Sequence, residues 1–475
     1  MKNYPLYINN KWVHTEDTIE ITDPSTNKPF AKISTIDRAV VKQAIAHAHQ
    51  AFGVWSKLTG KIRGEYLEKI ANELEKRSDE VAHFITRENG KPLAQSKGEV
   101  AMSVDHLRWF AGEARRIYGR TVPHQADGKR HLIIKNPVGV VAAISPWNFP
   151  LVLALRKVAP ALAAGCPVVL KPASATPVCA VILAECIEAA KLPAGVFQLV
   201  AGSSSDIANE FLENPLCRKV TFTGSTEVGR KLIQNAANTI KPLSLELGGH
   251  APFLVFEDAD INAAVEGAII TKFRNTGQSC IASNRIYVQS SVYEPFLNRF
   301  VERTKQLKVG GGLENNVDIG PLIDEDGLVK ALDQIRDATG AGAKLMCGGK
   351  RVEREGFFLE PTVLADVPDS AACMTNETFA PVAPVCAFDS ESEVIERAND
   401  TSYGLCAYAY TQDIGRSFRL MESLEAGTIG LNDAVPSTSQ SPFGGVKQSG
   451  WGRELGIEGL EAFLETKHVS LGLEM

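Results

Sequence analysis

The chain has 475 residues, 44% hydrophobic and 22% charged, with a formal charge of −6. That length calls for two or three domains, and the composition is that of an ordinary globular protein without disorder bias. With no basic excess to neutralise phosphates, a general nucleic-acid or anionic-membrane binder is excluded.

The opening "MKNYPLYINNKWV" lacks the apolar core of a signal peptide. Apolar runs such as "VGVVAAI", Val138–Ile144, are far too short to cross a bilayer. Nine scattered cysteines without a C-x-x-C pair fit reduced thiols, so a soluble cytoplasmic protein is expected, with no disulfide framework and no metal site. The strand-like segments "YPLYI" and "KWVHT" predict a hairpin through Asn9-Asn10. Three helices are expected next, Arg38–Leu58, Gly64–Arg87 and Ala94–Ile117. In the second, Leu67, Ile70, Leu74 and Val81 recur near helical spacing.

From Gly139 to Leu247 strands and helices alternate. "VGVVAAIS", "CPVVLK", "GVFQLVAG", "RKVTFTG" and "KPLSLEL" read as buried strands. The helices between them include "LVLALRKVAPALAAG", interrupted by Pro160, and one with Pro177 near its start. Continuous apolar strands of this kind predict a parallel sheet covered on both faces. A second α/β succession starts just after "ELGG", with strands such as "APFLVF", "NRIYVQ" and "CAYAYT". Thr121–Lys135 and "LETKHVSLGL" read as extended pieces outside both cores.

Three positions stand out chemically. Cys280 follows Gly277, Gln278 and Ser279, small or polar residues that admit a ligand, whereas the other eight cysteines have bland settings. Asn148, in "SPWNFP", lies just past a strand's carboxyl end, where open α/β sheets bind ligands, and could donate to an oxyanion. Glu246 ends a buried strand before two glycines, a costly place for a charge without a partner or a task. Each alone is compatible with an ordinary buried thiol, loop amide or ion pair. "GSTEVG", Gly224–Gly229, is the nearest candidate for pyrophosphate contact at a helix N-terminus.

Taken together, the blocks "PWNFP", "KPAS", "FTGSTEVGR", "LELGGHAPFLVFEDADI", "FRNTGQSC", "NETFAPV" and "SPFGGVKQSGWGRELG" resemble the aldehyde dehydrogenase superfamily, in its order and over nearly the whole chain. The resemblance implies two Rossmann-like parallel-sheet domains plus a small oligomerisation strand element. Residues 1–120 and 136–248 would bind the cofactor, with 443–461 returning to that side. Residues 249–442 would form the catalytic domain, and 121–135 with 462–475 the element that builds a homodimer or homotetramer. It also implies Cys280 as nucleophile, Glu246 as base for thioester hydrolysis, and Asn148 with the Cys280 N–H as oxyanion donors. Ser145, Trp147, Lys171, Ser174, Gly224, Ser225, Glu377 and Phe379 would meet the cofactor. Ser174 stands where many NAD-using relatives carry Glu; serine tolerates a 2′-phosphate, so NADP is expected, with NAD as the alternative.

Arg274 lies six residues before Cys280, and Arg156 six beyond Pro150. In this family both segments line the substrate tunnel, and two guanidiniums there call for an anion, best a carboxylate that matches the arginine fork. With Ser437 they look like the anion-binding triple of the succinate-semialdehyde dehydrogenase branch. The expected reaction is NAD(P)+-dependent oxidation of succinate semialdehyde to the dicarboxylate. Alternatives are glutarate semialdehyde, one methylene longer, a broad aldehyde scavenger, and a non-catalytic protein on the same scaffold. Two residues depart from the pattern: Ala282 where some relatives have a second cysteine, and Ala380 where the family usually has glycine.

Overall fold

The computed structural model describes residues 1–473. Its first sheet has eight strands, in the order Gly450–Trp451, Leu243–Glu246, Cys217–Thr223, Val140–Ile144, Val168–Lys171, Phe197–Leu199, Leu6–Ile8 and Lys11–Val13. The five from Leu243–Glu246 to Phe197–Leu199 are parallel; Gly450–Trp451 adds antiparallel at one end, and the Leu6–Ile8/Lys11–Val13 hairpin adds antiparallel at the other. In chain order the strands step outward from Val140–Ile144, then return to its other side at Cys217–Thr223. Those two neighbours flank a topological switch point, where the crossover helices diverge and leave a crevice.

The second sheet has seven strands: Lys344–Cys347, Thr362–Ala365, Val382–Phe388, Ser283–Gln289, Ala251–Val255, Cys406–Tyr410 and Thr428–Leu431, parallel except for the first. Several are buried apolar runs, "APFLV" and "CAYAY" among them, because helices cover both faces, while Ser283–Gln289 buries Asn284 and Arg285. An antiparallel sheet of Leu464–Gly472, Lys129–Pro137 and Arg120–Val122 stands apart. Residues 474 and 475 lie outside the described residues. No described helix is long and apolar enough to cross a membrane.

The hairpin at Asn9-Asn10 is present, both asparagines taking the left-handed backbone that a two-residue turn requires (φ 51° and 57°). Two helix expectations are corrected. The segment Gly64–Arg87 is two helices, Gly60–Lys76 and Ser78–Asn89, with Arg77 leaving helical backbone between them (φ −103°, ψ 15°). Asp79 and Glu80 suit the first turn of the new helix, where the backbone dipole favours negative charge. Pro160 does not interrupt its helix, which runs unbroken over Val152–Ala164. An interior proline costs about 3 kcal/mol. Every residue of this helix is buried, and each large apolar side chain returns about 1.5–3 kcal/mol, so burial wins.

That helix and Val178–Ala189 begin on residues, Leu151 and Pro177, that supply no side-chain cap. Carboxylates from elsewhere serve instead. Glu99 accepts from the N–H groups of Leu151 (3.0 Å) and Val152 (3.2 Å), and Glu88 from those of Val178 (2.7 Å) and Cys179 (3.2 Å). Burial pushes the Glu88 carboxyl up to about 8, against the pull of those backbone donors.

Candidate active site

The carboxyl ends of the first sheet converge at the switch point. Val140–Ile144 runs into Ser145-Pro146-Trp147-Asn148, Cys217–Thr223 into Gly224-Ser225, and Leu243–Glu246 ends on Glu246 itself. The second sheet contributes Cys280, in the turn before Ser283–Gln289. Two glycines make this meeting possible. A Cβ on Gly249 would lie 2.1 Å from the Cys280 carbonyl oxygen, and one on Gly277 (φ 72°) 2.2 Å from that of Ala380.

Cys280 stands between two cavities. The larger, about 290 Å³, is lined by Trp147, Asn148, Gly224, Ser225, Glu377 and Phe379 among others. Ser225 caps the helix Thr226–Ala236, whose N-terminus opens there. Glu377 accepts from the Gly249 N–H at 3.1 Å, and burial pushes it up to about 7. Phe379 takes a left-handed φ of 54° and meets Trp147 edge to face at 5.5 Å. The positive φ therefore falls on Phe379 and not on buried Ala380, so the departure from glycine at 380 introduces no strain. Ser145, Lys171 and Ser174 do not line this cavity. They sit just beyond it at the strand ends, with the Ser145 N–H bonded to the Lys171 carbonyl.

The smaller cavity, about 50 Å³, brings Arg156, Arg274 and Ser437 together with Phe149, Phe443 and Cys280. Arg156 Nη2 donates to Ser437 Oγ at 2.8 Å, and its guanidinium lies over Phe443 at 4.6 Å. A guanidinium only donates, so the Ser437 hydrogen remains free to donate to something else. Arg274 lies over Phe149 at 5.3 Å. Burial lowers the Arg274 pKa, while the Glu99 charge raises it. Among the described residues neither arginine forms a salt bridge, although both are largely enclosed.

Asn148 donates from Nδ2 to the Gln278 carbonyl at 3.1 Å, which leaves its second amide hydrogen uncommitted. Its own carbonyl is held by Lys91 Nζ (2.7 Å) and Asn275 Nδ2 (2.8 Å). Lys91 in turn pairs with Glu99 Oε2 at 2.7 Å, both side chains wholly buried. Glu246 is buried with Oε2 unpartnered. Burial, then the neighbouring Glu454 charge, pushes its carboxyl well above the carboxylate range, while Lys157 and Arg156 pull it back. Lys157 is itself bonded to Glu454 and, at 2.6 Å, to Thr223 Oγ1.

Burial is also the largest influence on Cys280, followed by the charges of Glu377 and Glu246. Together they push its thiol up to about 12. Only the thiolate is alkylated. Iodoacetamide labelling of Cys280 in the cofactor-free protein should therefore climb about tenfold per pH unit between about pH 7 and 9. A plateau near neutrality, read by peptide mass spectrometry, would show a thiolate formed in advance.

Sequence reasoning missed Lys91, Glu99, Lys157 and Glu454. The signal was there in part: Lys91 is the one charge in "NGKPLA", and Lys157 stands with Arg156 in the otherwise apolar "LALRKVAP".

A model of the aldehyde dehydrogenase family matches residues 12–469. The chain is 47% identical over 469 residues to an NADP+-dependent succinate-semialdehyde dehydrogenase of Escherichia coli, covering 98% of this chain and 97% of that one. It is 47% identical over 468 residues to a glutarate-semialdehyde dehydrogenase of Pseudomonas aeruginosa, with the same coverage. The crystal structure of a succinate-semialdehyde dehydrogenase from Burkholderia pseudomallei superposes with a TM-score of 0.97 at 44% identity, over 99% of this chain and 98% of that one. This chain belongs to the aldehyde dehydrogenase family.

Proposed function

We propose that this protein oxidises succinate semialdehyde to succinate with NADP+, NAD+ serving less well. The observation that carries the reading is the pair of guanidiniums, Arg156 and Arg274, without an ion-pair partner among the described residues, in a cavity that reaches Cys280. An aldehyde whose far end is a carboxylate supplies the missing anion, with Ser437 donating a third hydrogen bond. Glutarate semialdehyde is the second reading. It presents the same anion one methylene further out, and one relative at 47% identity is named for it.

In this reading Cys280 gives its proton up to solvent and its sulfur attacks the aldehyde carbon. The carbonyl oxygen becomes an alkoxide between Asn148 Nδ2 and the Cys280 N–H, which has no acceptor of its own among the described residues. A bound nicotinamide would supply the acceptor for a hydride from this carbon. The larger cavity fits such a cofactor: the helix N-terminus behind Ser225 would offer N–H groups to a pyrophosphate, and Glu377 would help hold it. A thioester on Cys280 remains. Glu246 then takes a proton from water, whose oxygen attacks the thioester carbon and releases the carboxylic acid.

Residues 1–120 and 136–248 would carry the cofactor, with 443–461 returning to that side, and 249–442 the thiol. The outlying three-stranded sheet, built from 120–137 and 464–472, exposes Val122, Ile134 and Leu471. These exposed apolar side chains support a homodimer or homotetramer joined through that sheet, and sedimentation that read a monomer would sink this assembly. The expected compartment is the cytoplasm, which fractionation would check.

Initial rates with succinic semialdehyde and butanal test the substrate. The semialdehyde should be preferred about tenfold or more in kcat/KM, a difference of about 1.4 kcal/mol. Arg274→Ala removes a charged hydrogen bond of about 1.5–3 kcal/mol and should abolish most of that preference while sparing butanal. Equal turnover of both aldehydes by the unaltered enzyme would overturn the reading.

A further inference from the structure

Ser437 meets Arg156 from a loop, residues 433–442, that has little else to hold it. Most of the loop is exposed or half-buried, and Ser439 is its one fully buried polar side chain. Hydrogen bonds tying this loop to the rest of the described chain run through two residues. Ser437 accepts from Arg156, while Ser439 bonds Asp105 and His106 through its hydroxyl and the Gly456 N–H through its carbonyl (2.9 Å).

The Ser439 hydroxyl has one hydrogen, and Asp105, a carboxylate, only accepts. The hydroxyl therefore donates to Asp105 Oδ2 and accepts from His106 Nδ1–H, 2.7 Å away. That arrangement fixes the His106 tautomer, leaving Nε2 without a hydrogen and without a protein partner. Burial, reinforced by the Arg156 charge, keeps His106 well below its ordinary pKa, so the ring stays neutral and the donor stays where the hydroxyl needs it. Asp105 and His106 are adjacent on the helix Leu93–Glu113, so the clasp ties the loop to a rigid element.

We propose that the Asp105–Ser439–His106 clasp positions Ser437 against Arg156 and thereby sets this enzyme's discrimination for aldehydes with a distal anion. The proposal rests on the anion-anchoring reading above. Ser439 acts through Ser437, two residues away, and is a positioning residue; it does not line the cavity that holds the guanidiniums. Losing the clasp frees the loop, so each binding event must order Ser437 again. The loss falls on KM for the anionic aldehyde and spares an aldehyde that never used the anchor.

The experiment measures kcat and KM for succinic semialdehyde and butanal in the unaltered enzyme and in Ser437→Ala, Ser439→Ala, Ser439→Thr and Asp105→Ala, all checked for native unfolding curves. Ser439→Ala should lower kcat/KM for the semialdehyde about tenfold, mainly through KM, with butanal within about twofold. Ser439→Thr, which keeps the hydroxyl, should restore most of the loss. Asp105→Ala, at an exposed position, should shift the ratio in the same direction even if Ser439→Ala folds poorly. If Ser437→Ala loses selectivity while Ser439→Ala and Asp105→Ala retain it, the clasp proposal falls and the anion anchor stands. A fall of both aldehydes together in the clasp variants overturns it as well. Absence of any semialdehyde preference in the unaltered enzyme overturns both.

Discussion

Glu246→Gln should complete one round of hydride transfer and then stall. Rapid mixing with semialdehyde and NADP+ is expected to give a burst of about one NADPH per subunit, followed by a steady rate lowered about 10²–10⁴-fold, the range for loss of a general base. The geometry explains why this carboxylate suits the second half of the reaction. It is buried at a strand end with one oxygen unpartnered, and a Cβ on Gly444 would come within 2.6 Å of the other oxygen. Burial and Glu454 push its pKa well up, so the basic, ionised form gains population as pH rises. Where hydrolysis limits turnover, the unaltered enzyme should therefore speed up with pH through that ionisation, and the Gln variant should lose this dependence. A Gln variant that turns over within about tenfold of the original, or shows no burst, would remove Glu246 from the base role.

The second large effect is expected at Lys91, far from the reacting atoms in sequence. Lys91→Met strands the Glu99 carboxylate in a wholly enclosed site, and breaking a buried pair in this way costs about 3–5 kcal/mol. Burial already lowers the Lys91 pKa, and the Glu99 charge holds it up, so the lysine's charge depends on the carboxylate. The same change removes one of the donors that hold the Asn148 backbone carbonyl and loosens the residue whose amide is proposed to receive the oxyanion. Activity should therefore fall for semialdehyde and butanal alike, unlike the selective loss expected at Arg274. The double variant Lys91→Met with Glu99→Gln should recover part of the stability, because no charge is then left unpaired. Denaturant titration decides this, and a single-variant loss below about 1 kcal/mol would mean that the pair is not holding the site together.

The parallel strands were legible because both faces of each sheet are covered, which makes most central strands buried and largely apolar. Cys280, Glu246 and Asn148 stood out by their settings, yet each alone fitted an ordinary thiol, ion pair or loop amide, and it was the resemblance of the ordered blocks to the family that implied their roles. The structure lines one cavity with Cys280 and Asn148, sets Glu246 near enough for its charge to raise the Cys280 thiol, and brings Arg156, Arg274 and Ser437 to the other cavity. Their chemical roles are for the variants above to decide. The break at Arg77 was hidden because the apolar spacing continues across it, and the continuity through Pro160 because packing outweighed a local penalty. Glu99 and Ser439 were hidden for another reason. Their partners lie 52 and 333 residues away in the chain, and no local pattern encodes such a pairing.

The passage Leu247-Gly248-Gly249-His250 has a mechanical meaning. It is the short link between the strand ending in Glu246 and the first strand of the other sheet, and it touches the Cys280 backbone through Gly249. Under any rotation of one sheet against the other about this link, displacement grows with distance from the axis. The thiol and the carboxylate lie close to it and would move least, so the spacing on which the chemistry depends is set at the join between the two sheets.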